Sequence, residues 1–330
     1  MSTAHTFMDN FSPQSRVMDA GRRPPGAGTA NGTFGELLQG ALRNDDDHFL
    51  VTLPIRKYSR ARFEPDYSSA QVSVQPAHKC KSLKLVQRLL RHYDCEFGGT
   101  LTIESDLPEG KGLASSSADM VACVRALEAS LGFTIPTELV LAELAGIEPT
   151  DGVMFHEFVT FFHRKVQLVR RLGFPSGLVV VAIDAGGQVD TIEYNRHHHL
   201  FSDEECAEYA RLLASIENAI RTDDLPALGR IATRSAILNQ KRNPNPHFER
   251  VMAIGHVTAA LGVVVAHSGP CVGLLFPGDP ACQAGIARAE SLLADLTDQV
   301  FVVESIAPGP DSRTQHQSDP TNRNTNRRTA

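Results

Sequence analysis

Apolar positions along this chain follow two periods. Between His48 and Arg62 a β-rich apolar stretch holds Phe49, Val51, Leu53 and Ile55 on alternate positions and then Tyr58, which predicts a strand. Gln71–Val74 alternates in the same way, and Gly99–Glu104 reads as a further strand. Lys79–Tyr93 predicts a helix. From Ser115 the spacing changes: Val121, Val124, Leu127 and Leu131 recur at three- and four-residue intervals among small alanines, the stripe of a helix over Ser115–Leu131. Gly132 ends that helix, and Pro136 opens another through Ala145.

The second half begins with strands around Lys165–Val169 and Leu178–Asp184. Helices are predicted at Asp203–Ile220, Leu225–Asn239 and Pro246–Leu261. Two short apolar runs, Gly262–Ala266 and Cys271–Phe276, flank a turn at His267–Pro270; a helix at Gln283–Leu296 and a strand at Gln299–Glu304 close the pattern. Strands in runs, with helices between them but no regular βαβ alternation, give an α+β fold, the second half forming a second α+β domain.

Both ends read as disordered. Ala307–Ala330 contains no Leu, Ile, Val or Phe, so it buries too little surface to offset its ordering entropy, and Met1 to about Gly26 is similar. Composition narrows the function classes. A net charge of −6 speaks against a protein that neutralises nucleic-acid phosphates, and the absence of Trp speaks against a base-stacking platform. No apolar run approaches a membrane span or the core of a signal peptide, which points to a soluble, cytoplasmic protein that does not bind membranes. The six cysteines include no CxxC pair and read as reduced structural thiols. His197, His198 and His199 read as a surface turn, since adjacent histidines on a regular element cannot all face one ion.

The chemistry concentrates in Leu107-Pro-Glu-Gly-Lys-Gly-Leu-Ala-Ser-Ser-Ser-Ala-Asp119, between a predicted strand and a predicted helix. Gly110 and Gly112 permit backbone conformations and close approaches denied to other residues. Ser115, Ser116 and Ser117 stand where the helix starts, as candidate N-caps. The unsatisfied amides and dipole of a helix start attract anions, the serine hydroxyls add donors or an Mg²⁺ ligand, and Lys111 adds a positive charge. The alternative is a glycine turn before an over-determined cap. The spacing is neither a Walker A nor a dinucleotide fingerprint.

This segment closely resembles the central signature of the GHMP kinases, in which Pro and a short Gly-containing spacer precede Gly-Leu and small residues running into Ser-Ser-Ala. Here those positions are Pro108, Glu109, Gly110, Lys111, Gly112, Leu113, Ala114, Ser115, Ser116 and Ser117, with Ala114 where many members carry Gly. Thr29–Gly40, with its Gly35-Glu36 pair, resembles the first motif of that family, and Ala266–Phe276 resembles the third. Within the family, Gly35–Gly40, Phe49–Ile55, Glu148–Met154, Asp184–Thr191 and Ala266–Gly269 are similar to the L-threonine kinases of cobalamin biosynthesis.

The resemblance implies a two-domain GHMP kinase-like fold: a ribosomal-protein-S5-like ATP-binding domain over 27–185 and a ferredoxin-like domain over 186–306, between disordered segments 1–26 and 307–330. It implies ATP and Mg²⁺ as cofactors, a small-molecule acceptor, and phosphorylation of L-threonine to L-threonine O-3-phosphate for the cobalamin nucleotide-loop linker. The alternatives are another hydroxy-amino acid or small alcohol, an ATP-dependent decarboxylase on the same scaffold, or a non-catalytic ligand sensor; a homodimer is left open.

By the same resemblance, Pro108–Ser117 holds the nucleotide phosphates, Ser116 binds Mg²⁺, and Lys111 and Ser116 act in transfer. Glu143 matches the family's helix-borne metal-binding glutamate, and reads equally as a solvated helix carboxylate. Asp151 sits where several members place a catalytic aspartate, and reads also as the turn former before Gly152; Glu148 rivals either residue. Asn31, Glu36, Ser268 and Gly269 are assigned to the substrate side. Arg56, Arg234 and Asp184 are open candidates for the charges of an amino-acid acceptor.

Overall fold

The computed structural model describes residues 22–43, 47–187 and 201–307. Its strands are β1 (Gly26–Ala41), β2 (His48–Asp66), β3 (Val72–Gln75), β4 (Gly98–Ser105), β5 (Phe158–Phe162), β6 (Gln167–Gly173), β7 (Leu178–Asp184), β8 (Gly262–Val265), β9 (Cys271–Pro277) and β10 (Val300–Glu304). The helices are α1 (Cys80–His92), α2 (Ser115–Leu131), α3 (Thr137–Ala145), α4 (Asp203–Thr222), α5 (Leu225–Asn239), α6 (Phe248–Thr258) and α7 (Gln283–Ala294). The periodicity located nearly all of these to within a few residues. It missed β1, whose glycines and polar residues hide the alternation, and β5, a continuous apolar run.

The architecture is α+β. One sheet runs in the order β10-β7-β9-β8-β1-β2-β4-β3, and the β5–β6 pair branches off β2. The pairing of β3 with β4 is parallel, and the other ladders are antiparallel. β7, which a boundary at 185 assigns to the first half of the chain, hydrogen-bonds β9 and β10 of the second. The two halves join where β1 meets β8, at a single register pair, Glu36↔Val265. β1 slips register against β2 three times between Asn31 and Leu38, and such bulges re-aim side chains at sheet junctions.

The α2 pattern predicted one apolar stripe, but the helix is buried on nearly every side, Ala118, Ala122, Ala126 and Ser130 included. Its backbone lies directly on β1. A Cβ at Gly28 would come within 2.3 Å of the Ala122 carbonyl and the Ala126 nitrogen, and one at Gly26 within 2.1 Å of the Ala126 carbonyl. Glycine is required there by close approach, not by turn geometry. Gly28→Ala should therefore lower stability by about 3 kcal/mol, because helix backbone cannot move aside as a side chain can. Thermal unfolding of the variant checks this, and an unchanged Tm would mean that α2 does not seat on β1.

Two apolar clusters fill the faces of the sheet. The larger gathers Phe34, Leu37, Phe49, Phe63, Leu89, Leu127 and Phe161, and the smaller Val181, Ile183, Phe248, Val251, Val272, Phe276 and Leu293. All six cysteines are unpaired. Burial pushes the Cys123 and Cys271 thiols up to about 12, which keeps them protonated and unreactive.

Candidate active site

The three motifs meet at the junction of the two halves. Beside the bulged part of β1, the Thr33 and Gly35 amides donate to the carbonyls of Leu113 and Gly112, each at 3.3 Å. Gly112 (φ 75°) packs on the third motif: a Cβ there would lie 2.4 Å from the Ala266 Cβ, and one at Gly269 would lie 2.2 Å from the Lys111 carbonyl. The phosphate loop is thus clamped between β1 and the turn 266–269.

That loop borders a cleft of 560 Å³ lined by Glu109, Gly110 and Gly112–Ser117, by His78–Ser82, and by Glu36, Glu148, Pro149, Asp151, His163, His267 and Ser268. The α2 N-cap is Ala114, not a serine, and it takes the left-handed conformation (φ 58°) without any side-chain cap. A residue without Cβ is at ease in that region and alanine is strained there, so glycine would fit this position with less strain. The three serines fall in the first helical turn. The helical ladder starts with the Ala118 amide donating to the Ala114 carbonyl, so the amides of Ser115, Ser116 and Ser117 precede it. Such a turn of free amides at a helix start is suited to an anion.

Ser116 donates to Glu148 Oε1 at 2.5 Å, and Lys81 pairs with the other oxygen of the same carboxylate. Glu148 is only 5% exposed. The Ser117 hydroxyl accepts from the Asp151 amide at 3.4 Å, tying the turn 149–152 to the first turn of α2. Burial, and secondarily the charge of Glu148, push the Asp151 carboxyl up to about 7. Glu36 is raised well above the usual range, chiefly by burial and then by the charge of Asp151, while one hydrogen bond from the His267 backbone works against this. Its Oε2 has no hydrogen-bond partner. On the same side, the His163 and His267 rings lie 4.7 Å apart, and His267 Nδ1 is 2.7 Å from Gln39 Oε1.

Lys79 supplies the second cleft ammonium. It reaches Asp119 at 2.6 Å and Glu109 at 2.5 Å. Burial opposes its charge, but the hydrogen bonds to Asp119 and Glu109 outweigh that and raise its pKa. Asp119 also accepts from the Ser59 hydroxyl at 2.5 Å, which anchors the pair to β2.

The sequence-assigned residues separate into two groups. Glu36, Ser268, Glu109, Gly110, Gly112–Ser117, Glu148 and Asp151 come together in the cleft; Pro108, Lys111, Asn31 and Gly269 do not line it. Lys111 turns away to Asp184, at 2.6 Å. Asn31 is buried and donates to the Gly32 carbonyl. Glu143 is not in the cleft: α3 carries it to Arg88, 3.4 Å away, and the carboxylate beside Ser116 is Glu148. The reason is geometric, because Glu148 follows the end of α3 on a turn that folds back over α2, whereas the helix aims Glu143 at α1. Arg56 and Arg234 pair with Glu304 and Glu208 at the surface. His197–His199 lie outside the described residues.

Lys79, Lys81 and His163 lie in no motif of the sequence, and Asp119 and His267 lie within motif segments that assign them no role. A weaker signal for two of them is present. Lys79 and Lys81 occupy the N-cap and second position of α1, with no acid in its first turn, where the helix dipole disfavours cations. A locally unfavourable placement of that kind marks a functional position. Among the described residues no three His, Cys, Asp or Glu side chains converge as a preformed metal cage, and no helix is long and apolar enough to cross a membrane.

Comparison with known proteins bears on this site. The family of GHMP kinases N terminal domains matches residues 81–154, which include the phosphate loop, Glu148 and Asp151. An L-threonine kinase of Citrobacter freundii is 30% identical over 73% of this chain and 83% of its own length. An L-threonine kinase of Salmonella typhimurium is 28% identical over 79% and 85%. A homoserine kinase from Cytophaga hutchinsonii shares the fold with a TM-score of 0.68 at 16% identity, over 88% of this chain and 96% of its own. A mevalonate diphosphate decarboxylase from Staphylococcus aureus shares it at 0.62 and 14% identity, over 87% and 97%, so the fold by itself does not select the reaction. The chain belongs to the GHMP kinases. Its enzyme class is that of a kinase acting on an alcohol group.

Proposed function

We propose that this protein transfers the γ-phosphate of ATP to the side-chain hydroxyl of L-threonine, giving L-threonine O-3-phosphate, the linker precursor of the cobalamin nucleotide loop. The observation that carries the reading is the meeting of the Ser115–Ser117 turn with Ser116, Glu148 and Asp151 in one cleft, in a chain similar over most of its length to two L-threonine kinases.

The residues fit ATP. A helix start without a side-chain cap faces a cleft large enough for a nucleotide, and Lys79 and Lys81 also line it. They also fit Mg²⁺, which takes hard oxygen ligands and usually binds through one or two protein groups plus substrate phosphates. Ser116 and Glu148 are those two groups, and a bound Mg²⁺ would neutralise charge on the transferring phosphoryl group. In this arrangement the amides of Ser115–Ser117 hold phosphate oxygens. Lys81 holds the Glu148 carboxylate in place through their ion pair. Asp151, with its carboxyl near 7, accepts the proton from the acceptor hydroxyl.

Mg-ATP-dependent ADP release, measured against L-threonine, L-serine, L-homoserine, mevalonate and galactose, tests the reading. L-threonine should be clearly preferred, with a product heavier by one phosphoryl group. Release with no member of the panel would overturn the threonine assignment, and a product that had lost carbon dioxide would move the chain to the decarboxylases.

A further inference from the structure

Lys111 stands in the phosphate loop between two left-handed glycines, Gly110 (φ 71°) and Gly112 (φ 75°), yet its charge is not in the cleft. Its Nζ lies 2.6 Å from Asp184 Oδ2 and 2.6 Å from the Gly187 carbonyl oxygen. Both members of the ion pair are largely buried, at 17% and 13% exposure. Asp184 is the last residue of β7, held in the sheet by the register pair with Cys271 of β9. Its other oxygen accepts the Gly186 amide at 2.9 Å. Gly186 (φ 88°) and Gly187 (φ 77°) are both left-handed, which turns the Gly187 carbonyl back onto Lys111. One carboxylate therefore organises two glycine turns, each of which would be conformationally loose alone.

The backbone of the loop is held by β1 and by Gly269, but nothing else in the described structure grips a side chain between Gly110 and Gly112. A loop that must be ordered on binding loses affinity by the entropy of ordering it, and an anchor that fixes it beforehand removes that cost.

We propose that Asp184 is a positioning residue for the nucleotide: its ion pair with Lys111 pre-orders the phosphate loop, and Lys111 acts on ATP through that loop, not by touching phosphate. The direct ammonium contacts then fall to Lys79 and Lys81, which line the cleft. The inference rests on the proposed function only in taking ATP as the ligand of the cleft; it is independent of the acceptor.

The test is calorimetric titration of the full-length protein with Mg-ATP, together with KM for ATP and for L-threonine. Asp184→Asn and Lys111→Met should each weaken Mg-ATP binding about ten-fold, with the double variant no weaker than either single one, as for two residues acting through one contact. The KM for L-threonine should stay within about two-fold in all three, because the acceptor side of the cleft is untouched. Exchanging the charges, K111D with D184K, should recover part of the lost affinity. A phosphate-binding Lys111 predicts otherwise: Lys111→Met loses affinity while Asp184→Asn leaves it unchanged or tightens it, and that result overturns the proposal. Equal rises in both KM values would also overturn it, as the mark of a general structural role. If Lys111→Met fails to fold, Asp184→Asn decides the matter alone: an about ten-fold loss of Mg-ATP affinity supports the pair, and an unchanged or tighter affinity overturns it. A wild-type protein that binds Mg-ATP but ignores L-threonine would sink the acceptor assignment and leave the calorimetric comparison of the variants intact.

Discussion

Asp151→Asn is expected to abolish nearly all phosphoryl transfer and, at the same time, to make the folded protein more stable above neutral pH. Both effects have one origin. Asp151 is a carboxyl that burial and the neighbouring Glu148 hold at about 7 instead of its ordinary 3.8. A group tuned to the working pH is the base that can take a hydroxyl proton, and removing such a base typically costs about 10²–10⁴ in rate. The stability effect follows from linkage. Between 3.8 and about 7 the folded state keeps the Asp151 proton and the unfolded chain has lost it, so stability falls as pH rises through that window. Above it the penalty is fully present, on the order of a few kcal/mol. Asparagine does not ionise, so the gain in Tm over wild type should be near zero at pH 4 and largest at pH 8. The wild-type profile of log kcat/KM should show an acid limb bending near 7. That limb reports Asp151 together with Glu36, whose charges interact. A variant within a few-fold of wild-type activity would remove the base from the mechanism and leave transfer to positioning and charge neutralisation alone.

Glu148→Gln should be almost as damaging, with a different signature. The amide can still accept the Ser116 hydroxyl, but it withdraws a negative charge from Lys81 and from the proposed Mg²⁺ site. The expected loss in kcat/KM is about 10²–10³-fold, the scale for removing one well-placed electrostatic group. Two further readings separate this from general damage. The magnesium concentration for half-maximal activity should rise. The acid limb should move to lower pH, because the charge of Glu148 helps to hold the Asp151 carboxyl up. Adding Ser116→Ala to Glu148→Gln should cost little more than Glu148→Gln alone, since the two share one contact. Additive losses, with unchanged magnesium dependence, would take Glu148 out of metal binding and return the role to a residue elsewhere.

Much of this molecule is legible in its amino-acid sequence. Periodicity alone bounds Leu178–Asp184 and Leu225–Asn239 correctly, and Gly132 stops α2 in the left-handed conformation that its identity demands. The order of the three motifs also points to the family, because each is local: a glycine turn, a helix start and a strand-turn-strand carry their own constraints in a few consecutive residues. Sequence cannot rank the carboxylates. Glu143 and Glu148 lie five residues apart, one on α3 and one just beyond it, and both look like surface acids. Only the way the chain folds back decides that Glu148 meets Ser116 and that Glu143 meets Arg88.

The same limit explains Lys111, Lys79 and Glu36. A lysine in a glycine-rich phosphate loop reads as a phosphate ligand, yet Asp184, more than seventy residues away in sequence, takes its charge. Lys79 and Lys81, on a helix start that sequence logic would give to acids, line the cleft instead. Glu36 acquires its raised pKa from burial at the one point where β1 joins β8 and from Asp151 beside it. Short-range pattern therefore determined the elements, the family and the glycine- and serine-rich loop before α2, because backbone preference and periodicity act between neighbours. Tertiary structure decided which charges face the cleft and at what pH they titrate, since burial and Coulomb interaction depend on distance in space and not on distance along the chain.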